Sequence, residues 1–432
     1  MSAISSITAR EILSSGGTPT VEVKVVLSDG SVGIASVPFG VSAGSHEAFV
    51  LFDGDKGRFQ GKGMLKAVGH VNRVIGPRIV GKDPEKQGEI DDAMVKIDGT
   101  TNMGKLGANA ILGVSLAVAR AAAHSKKLPL YAYLRELFAI PLTEYILPNP
   151  MMVVIEGGKH ADDSTDFQEY LIAPIGGKTI AEEVRAGLDV YFSLKKILKG
   201  KGFTVNIGNE GAFAPAGIKN NEDPIRFIID AITAAGFTPG KDVGVSFDGA
   251  CSEIFDSGKY HLGREKKDLT SEEMRAYFEA WVKKYPSIIT IEDPFDEDDW
   301  GSWAAITKAL GKKVMVIADD LTVTNPERLQ KAIDQKAANA ILIKLNQNGT
   351  VTGTIDTCML ARKHGFSLIV SHRGGGETND TFMIDLAVAV NSSFVKVGPT
   401  RGERVAKYNR LMEIEEELGK KGKVSGRNFK HC

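Results

Sequence analysis

Residues 313–346 read KVMVIADDLTVTNPERLQKAIDQKAANAILIKLN. Two apolar runs, KVMVIADD (313–320) and NAILIKLN (339–346), flank an amphipathic segment opened by Asn325-Pro326, a helix cap and first turn. Strands buried on both faces show no polar alternation, and a helix between two of them makes the connection a parallel crossover. The unit recurs in VGVSFD (243–248), SIITIED (287–293), SLIVSHR (367–373) and FVKVG (394–398), with helix patterns such as SEEMRAYFEAWVKKY (271–285) between them. Many such units predict an α/β fold in which residues 139–432 close into a β/α barrel of the TIM type. No Gly-x-Gly-x-x-Gly opens a helix after the first strand and no Walker-type loop is present, which disfavours an open nucleotide-binding sheet.

Upstream, residues 1–138 read as a smaller α+β domain. TVEVKVVLSDGSVGIASV (20–37) is two alternating runs joined by Ser28-Asp29-Gly30, a hairpin within a three-stranded meander. PFGVSAGSHEAFVLFDGDK (38–56) holds too many turn residues for regular structure and reads as a mobile loop. Helical patterns then run from about Gly63 to Phe138, and Pro141, Pro148 and Pro150 punctuate the boundary.

With 53 Lys plus Arg against 54 Asp plus Glu, the formal charge is −1, which argues against nucleic acid as a partner. Cys251, Cys358 and Cys432 are few and far apart, so no disulfide framework is expected and a reducing cytoplasm fits. The N-terminus lacks a signal peptide pattern. The apolar stretch 108–123 contains Asn109 and Arg120 and is too short for a bilayer, so no transmembrane segment is expected.

Every apolar run finishes on polar residues: Asp248, Glu292-Asp293, Asp319-Asp320, Lys344, His372-Arg373 and Lys396. Barrel strands converge at their C-terminal ends on one mouth, where catalysis occurs. Asp248, Glu292 and Asp319 come from three successive runs, and like charges gathered there repel unless a cation neutralises them. Three oxygen ligands without His or Cys suit Mg²⁺ or Mn²⁺ better than zinc. The plainer reading, solvated strand caps or salt-bridge partners of the neighbouring lysines, suits one such acid better than three. Lys344 leaves an apolar strand, where a lysine is costly unless its pKa falls or a partner is present. It reads as a general base, lowered by Lys396, Arg373 and the metal, or else as a structural ion pair to one of the acids. Glu210 in IGNEGAFAP and Glu169 in GGKHADDSTDFQEYLIAP read as loop acids that close over the mouth, and His160 as a hydrogen-bonding ligand.

The strings LGANAILGVSLA, GGKHAD…DFQEY, GNEGAFAP, IEDPFDEDDW, ADDLTVTNP, LIKLNQNGT, VSHRGGGET and RGERVAKYNRL run in order along the whole chain. They resemble the enolase (phosphopyruvate hydratase) family, of which the chain looks like a divergent bacterial-type member. The resemblance implies Mg²⁺-dependent conversion of 2-phosphoglycerate to phosphoenolpyruvate in glycolysis. Under it Asp248, Glu292 and Asp319 would ligate the first Mg²⁺, Lys344 would be the base, and Glu210 the acid. Lys396 would hold the substrate carboxylate, Arg373 the phosphate, and His160, Gln168 and Glu169 the rest of the substrate, with His372 beside Lys396. Enzymes of this superfamily do use a lysine base with Mg²⁺. A homo-oligomer, dimer or ring of dimers, is also implied.

Several family positions are changed. Pro-Ser-Gly-Ala-Ser-Thr-Gly becomes Pro38-Phe39-Gly40-Val41-Ser42-Ala43-Gly44, which removes the hydroxyl usually given to the second Mg²⁺. Ser-His-Arg-Ser-Gly-Glu-Thr becomes Ser371-His372-Arg373-Gly374-Gly375-Gly376-Glu377, losing a phosphate-binding serine and adding a glycine. Gly-Asp-Glu-Gly-Gly becomes Gly208-Asn209-Glu210-Gly211-Ala212, and Ile-Asn-Gly-Gly becomes Ile155-Glu156-Gly157-Gly158. The expectation is a near-normal first Mg²⁺, a weakened second, and slower turnover, since one lost contact that strengthens in the transition state costs about 10²–10³ in rate. Two other readings stand beside the enzyme: a catalytically reduced paralogue serving as a binding or cell-surface protein, secreted without a signal peptide, and a related barrel enzyme acting on another carboxylate. The end Phe429-Lys430-His431-Cys432 carries no terminal lysine, which weakens the surface reading.

Overall fold

The computed structural model describes residues 2–40 and 44–427. Val41, Ser42 and Ala43 of the segment read as a mobile loop lie outside the described residues, as do Lys430 and Cys432.

The chain opens with the expected meander: β1 (Ile4–Leu13), β2 (Pro19–Leu27) and β3 (Val32–Ser36), antiparallel throughout. Gly30 turns the hairpin at φ 88°, a conformation that glycine adopts without Cβ strain. β4 (Phe39–Gly40) follows. Helix α1 (Ala108–Ser125) is buried on nearly every side and lies on the meander. Its approach requires Gly33, where a Cβ would stand 2.0 Å from the carbonyl oxygen of Ala117. Arg120 in α1 donates to both oxygens of Asp380, at 2.6 and 2.7 Å, and so fastens this layer to a barrel loop.

The barrel has eight strands: β5 (Asn149–Glu156), β6 (Glu169–Pro174), β7 (Val243–Asp248), β8 (Ile288–Glu292), β9 (Met315–Ala318), β10 (Ala340–Ile343), β11 (Ser367–Ser371) and β13 (Phe394–Val397). A two-residue strand, β12 (Gly375–Gly376), stands outside it and pairs with β4. The barrel closes in chain order, with β13 pairing β5. The six runs expected from sequence are barrel strands. Two strands were not expected, and they break the all-parallel pattern: β5 with β6 and β6 with β7 are antiparallel. β5 and β6 are joined as a hairpin, which needs no crossover helix, so no helical spacing separates them. Glu169 therefore starts a strand and is not a loop acid.

The helices between strands obey their local signals. α2 (Ser271–Lys284) begins with a capping box of Thr270 and Glu273, and α3 (Pro326–Gln335) is capped by Asn325, whose side chain accepts from Glu327 and Arg328. Behind the mouth, Phe167, Phe247 and Trp281 pack together, with ring centroids 5.4–6.2 Å apart. Such pairs contribute about 0.5–1.5 kcal/mol each beyond area burial. Phe167 precedes Gln168 and Phe247 precedes Asp248, so this cluster fixes two residues of the mouth.

Candidate active site

At the C-terminal ends of the strands lies a cleft with about 510 Å³ of free space, part of it open to solvent. Ten of the eleven residues singled out from sequence line it; the eleventh, Glu292, sits just behind Lys396.

Lys396 leaves β13 into a ring of carboxylates. Its Nζ lies 2.6 Å from Glu292 Oε1, 2.8 Å from Glu169 Oε2 and 3.0 Å from Asp248 Oδ2. Burial works to strip its proton, but Asp248, Glu169 and Glu292 outweigh burial and hold it charged well above the ordinary lysine range. Lys344 donates to Asp319 Oδ2. This corrects the expectation of a lowered lysine: burial does act downward, yet Asp319 prevails and the ammonium form is favoured. Asp319 is correspondingly held below its ordinary range, burial opposing and Lys344 prevailing. Its Oδ1 accepts from Gln347 Nε2 at 2.8 Å.

The acids are neighbours, but in an arrangement that the sequence did not specify. Glu292 pairs in register with Asp248, and both face the Lys396 ammonium. Oxygens of Asp293, Asp319 and Asp320 come within 4.8 Å of one another, and so do ligand atoms of His160, Glu169 and Glu210. Asp293 adopts φ 39°, and its two oxygens accept the backbone N–H groups of Asp319 and Asp320, each at 3.0 Å. Burial and the crowding of like charge push Asp293 well above the ordinary carboxylate range and Asp320 up to about 8.

Across the cleft, Glu210 faces two imidazoles. His160 Nδ1 is 3.3 Å from Glu169 Oε1 and 3.8 Å from Glu210 Oε1, while His372 Nε2 is 3.5 Å from Glu210 Oε1. Against its own burial, Glu169 and Glu210 raise His160 to about 9, so it is protonated at neutral pH. Burial pushes His372 below its ordinary range, leaving it neutral. Burial pushes Glu210 up, but His372 first and then His160 outweigh it and hold Glu210 well below the ordinary range. His372 meets Lys396 only through the backbone, its N–H donating to the Lys396 carbonyl; its ring turns to Glu210. Arg373 Nη1 lies 2.9 Å from Glu47 Oε2.

Sequence reading missed Glu47, which sits in a glycine-rich segment with no periodicity to mark it. It placed Asp293 and Asp320 at strand ends but assigned the site to the first acid of each pair. Gln347 lies one turn beyond Lys344 with no signal of its own.

A closed barrel whose strand ends interleave lysines with buried carboxylates around a polar cleft is that of an enzyme handling a small anionic substrate with the help of a cation. Residues 4–134 match the family profile "Enolase, N-terminal domain", and residues 144–432 match "Enolase, C-terminal TIM barrel domain". The chain is 51% identical over 436 aligned residues to the enolase of Bifidobacterium animalis subsp. lactis strain AD011, covering 100% of this chain and 99% of that protein. Enolases of Bifidobacterium longum strains DJO10A and NCC 2705 match at the same identity and coverage. The chain belongs to the enolase family, and its activity is that of a phosphopyruvate hydratase, a glycolytic lyase. None of these findings favours a catalytically reduced paralogue. Among the described residues, no helix is long and apolar enough to cross a membrane.

Proposed function

We propose that this chain dehydrates 2-phosphoglycerate to phosphoenolpyruvate with Mg²⁺, using the eleven residues expected from sequence. The observation that carries the reading is the alternation of charge around one cleft: Lys344 against Asp319, and Lys396 against Asp248, Glu169 and Glu292, with Glu210 opposite.

The donor set fits a hard divalent cation. The anionic donors on this side of the mouth are carboxylates, Glu292 Oε2 is buried without a hydrogen-bond partner among the described residues, and burial with like charge lifts Glu292 well above the ordinary range. Asp248, Glu292 and Asp319 would hold the ion. Bound there, it would supply positive charge to the substrate carboxylate and compete with Lys344 for Asp319. Displaced from Asp319 by the ion, Lys344 would lose its own proton to solvent and, as the neutral amine, take the proton α to that carboxylate, while Lys396 keeps a fixed positive charge beside the developing anion. Arg373 receives the phosphate, exchanging Glu47 for it. Glu210 delivers a proton to the departing hydroxide, with protonated His160 beside it as the source. Gln168, Glu169 and His372 complete the walls.

Phe39 brings no hydroxyl to the cleft, which supports weakened binding of a second cation. The domain division at 138/139, a cytoplasmic place of action and a homo-oligomer, dimer or ring of dimers, belong to the same reading. The test follows 2-phosphoglycerate dehydration against Mg²⁺ concentration for the native chain and Lys344→Ala. Loss of turnover in the variant and saturation by a single cation are expected. Equal rates for the two proteins would remove Lys344 from the mechanism, and a second-cation requirement at ordinary concentrations would refute the weakened second site.

A further inference from the structure

Glu156 ends β5, fully buried, beneath the turn that carries Glu210. Its Oε1 accepts the backbone N–H groups of Glu210, at 2.9 Å, and Ala212, at 3.1 Å. Its Oε2 has no hydrogen-bond partner among the described residues and lies against Gly208, where a Cβ would stand 2.2 Å from it. The turn is held from its other side by Arg401, whose Nη1 reaches the carbonyl oxygens of Gly208 and Asn209 at 3.2 and 3.3 Å. Relative to the family strings quoted above, the acid has left position 209 and appeared at 156, so the negative group has moved from the turn itself to a buried place under it.

We infer that Glu156 is a positioning residue for Glu210: it fixes the 208–212 turn through Oε1 and stands as a second buried acid at Glu210's side. The inference rests on the role proposed above for Glu210. Two backbone N–H groups ending on one carboxyl oxygen set the turn's height over the cleft, and a misplacement of about 1 Å in a reacting group can cost about 10²-fold in rate. The groups facing Glu156 are Glu210 and His160 across the turn, Glu169 opposite it in the strand pair, and the Tyr191 hydroxyl, which donates to the Gly211 carbonyl. Beyond the turn stand Arg401 and Arg404. Burial, and then the charge of Glu210, push Glu156 up to about 8. It is thus neutral at pH 7 and gains its charge just above, beside an acid and an imidazolium with which it titrates as one set.

The experiment compares kcat and KM for the native chain, Glu156→Gln, Glu156→Ala and Glu210→Gln from pH 6 to 9.5. Glutamine keeps the Oε1 acceptor, so its turnover at pH 7 stays within about fivefold of native, whereas alanine loses about 10²-fold in kcat with little change in KM. The native kcat profile bends near pH 8 and again near 9, where His160 titrates, and Glu156→Gln loses the first bend while keeping the second. The inference is overturned if Glu156→Gln falls as far as Glu156→Ala or keeps the bend near pH 8. Should alanine fail to fold, the glutamine profile decides alone. A Glu210→Gln variant with native turnover would overturn the role of Glu210 itself, and an inactive one beside indifferent Glu156 variants would overturn only the positioning.

Discussion

The mouth of the barrel has two sides that differ in how far they follow the family strings. On the side built by β7 to β10 and β13, Asp248, Glu292, Asp319, Lys344 and Lys396 stand as the strings require. On the side built by β4, β5, β12 and the 208–212 turn, Phe39, Glu156, Asn209 and Gly374 to Gly376 do not. The changes on the second side answer one another. Phe39 is buried, meets Phe52 edge to face at 5.7 Å, and pairs with Gly375–Gly376 as an antiparallel bridge. Gly376 makes that possible, since a Cβ there would lie 2.3 Å from Phe39 O and 2.9 Å from two of its ring carbons. Gly374 is not a vacancy left by a serine: a Cβ would lie 2.5 Å from Glu210 Oε1 and 3.0 Å from His160 Cε1. A charged cluster admits few exchanges, because each carboxylate buried without its lysine costs several kcal/mol. A wall held by van der Waals contacts admits many, provided that a larger residue is met by a smaller one.

The sharpest break in this contrast is Lys396→Ala. It leaves Asp248, Glu169 and Glu292 without their shared cation, and a loss of about 3–5 kcal/mol in denaturant unfolding is expected, with turnover abolished. A loss below about 1 kcal/mol would show that these acids protonate cheaply and are not an electrostatic cluster. Phe39→Ser comes next. Emptying a buried phenyl site costs roughly 3 kcal/mol in unfolding free energy, while the returned hydroxyl should add a second saturable phase to the Mg²⁺ dependence. An unchanged Mg²⁺ curve would remove Phe39 from the account of the second cation.

Gly374→Ser restores the family residue, yet a rate loss of about 10²-fold is expected, because Glu210 and His160 already fill the space. Faster turnover would mean that the side chains can step aside and the wall is eroded, not repacked. The last test concerns pH. His160 is raised in the folded chain from 6.5 to about 9, so its contribution is complete below about pH 6.5 and is lost as pH rises through 9. His160→Gln should therefore narrow its stability deficit by about 3 kcal/mol between pH 6 and 10. A deficit that does not vary with pH would mean that the imidazole is neutral throughout.

Much of the fold was legible because parallel crossovers write themselves twice, as an apolar run and as an amphipathic helix. β5 and β6 escaped because they are joined as a hairpin, and because Pro150, read as punctuation, lies within β5 itself. The site was legible where strand ends announce it. Asp293 and Asp320 stood in plain view, but Asp293 reaches the backbone of Asp319 and Asp320 from a φ of 39°, and no spacing encodes that angle. Glu47 was hidden because it reaches Arg373 across 326 positions of sequence.

By itself the sequence determined the barrel, the chemistry of its mouth and the family, since period, strand-end residues and ordered strings are properties of the chain alone. Only the tertiary structure decided which carboxylates share Lys396, that Lys344 is held charged by Asp319, and that the altered residues form a fitted wall. Those outcomes depend on distances between groups far apart in sequence and on their shared burial, where charge is costly and space is finite.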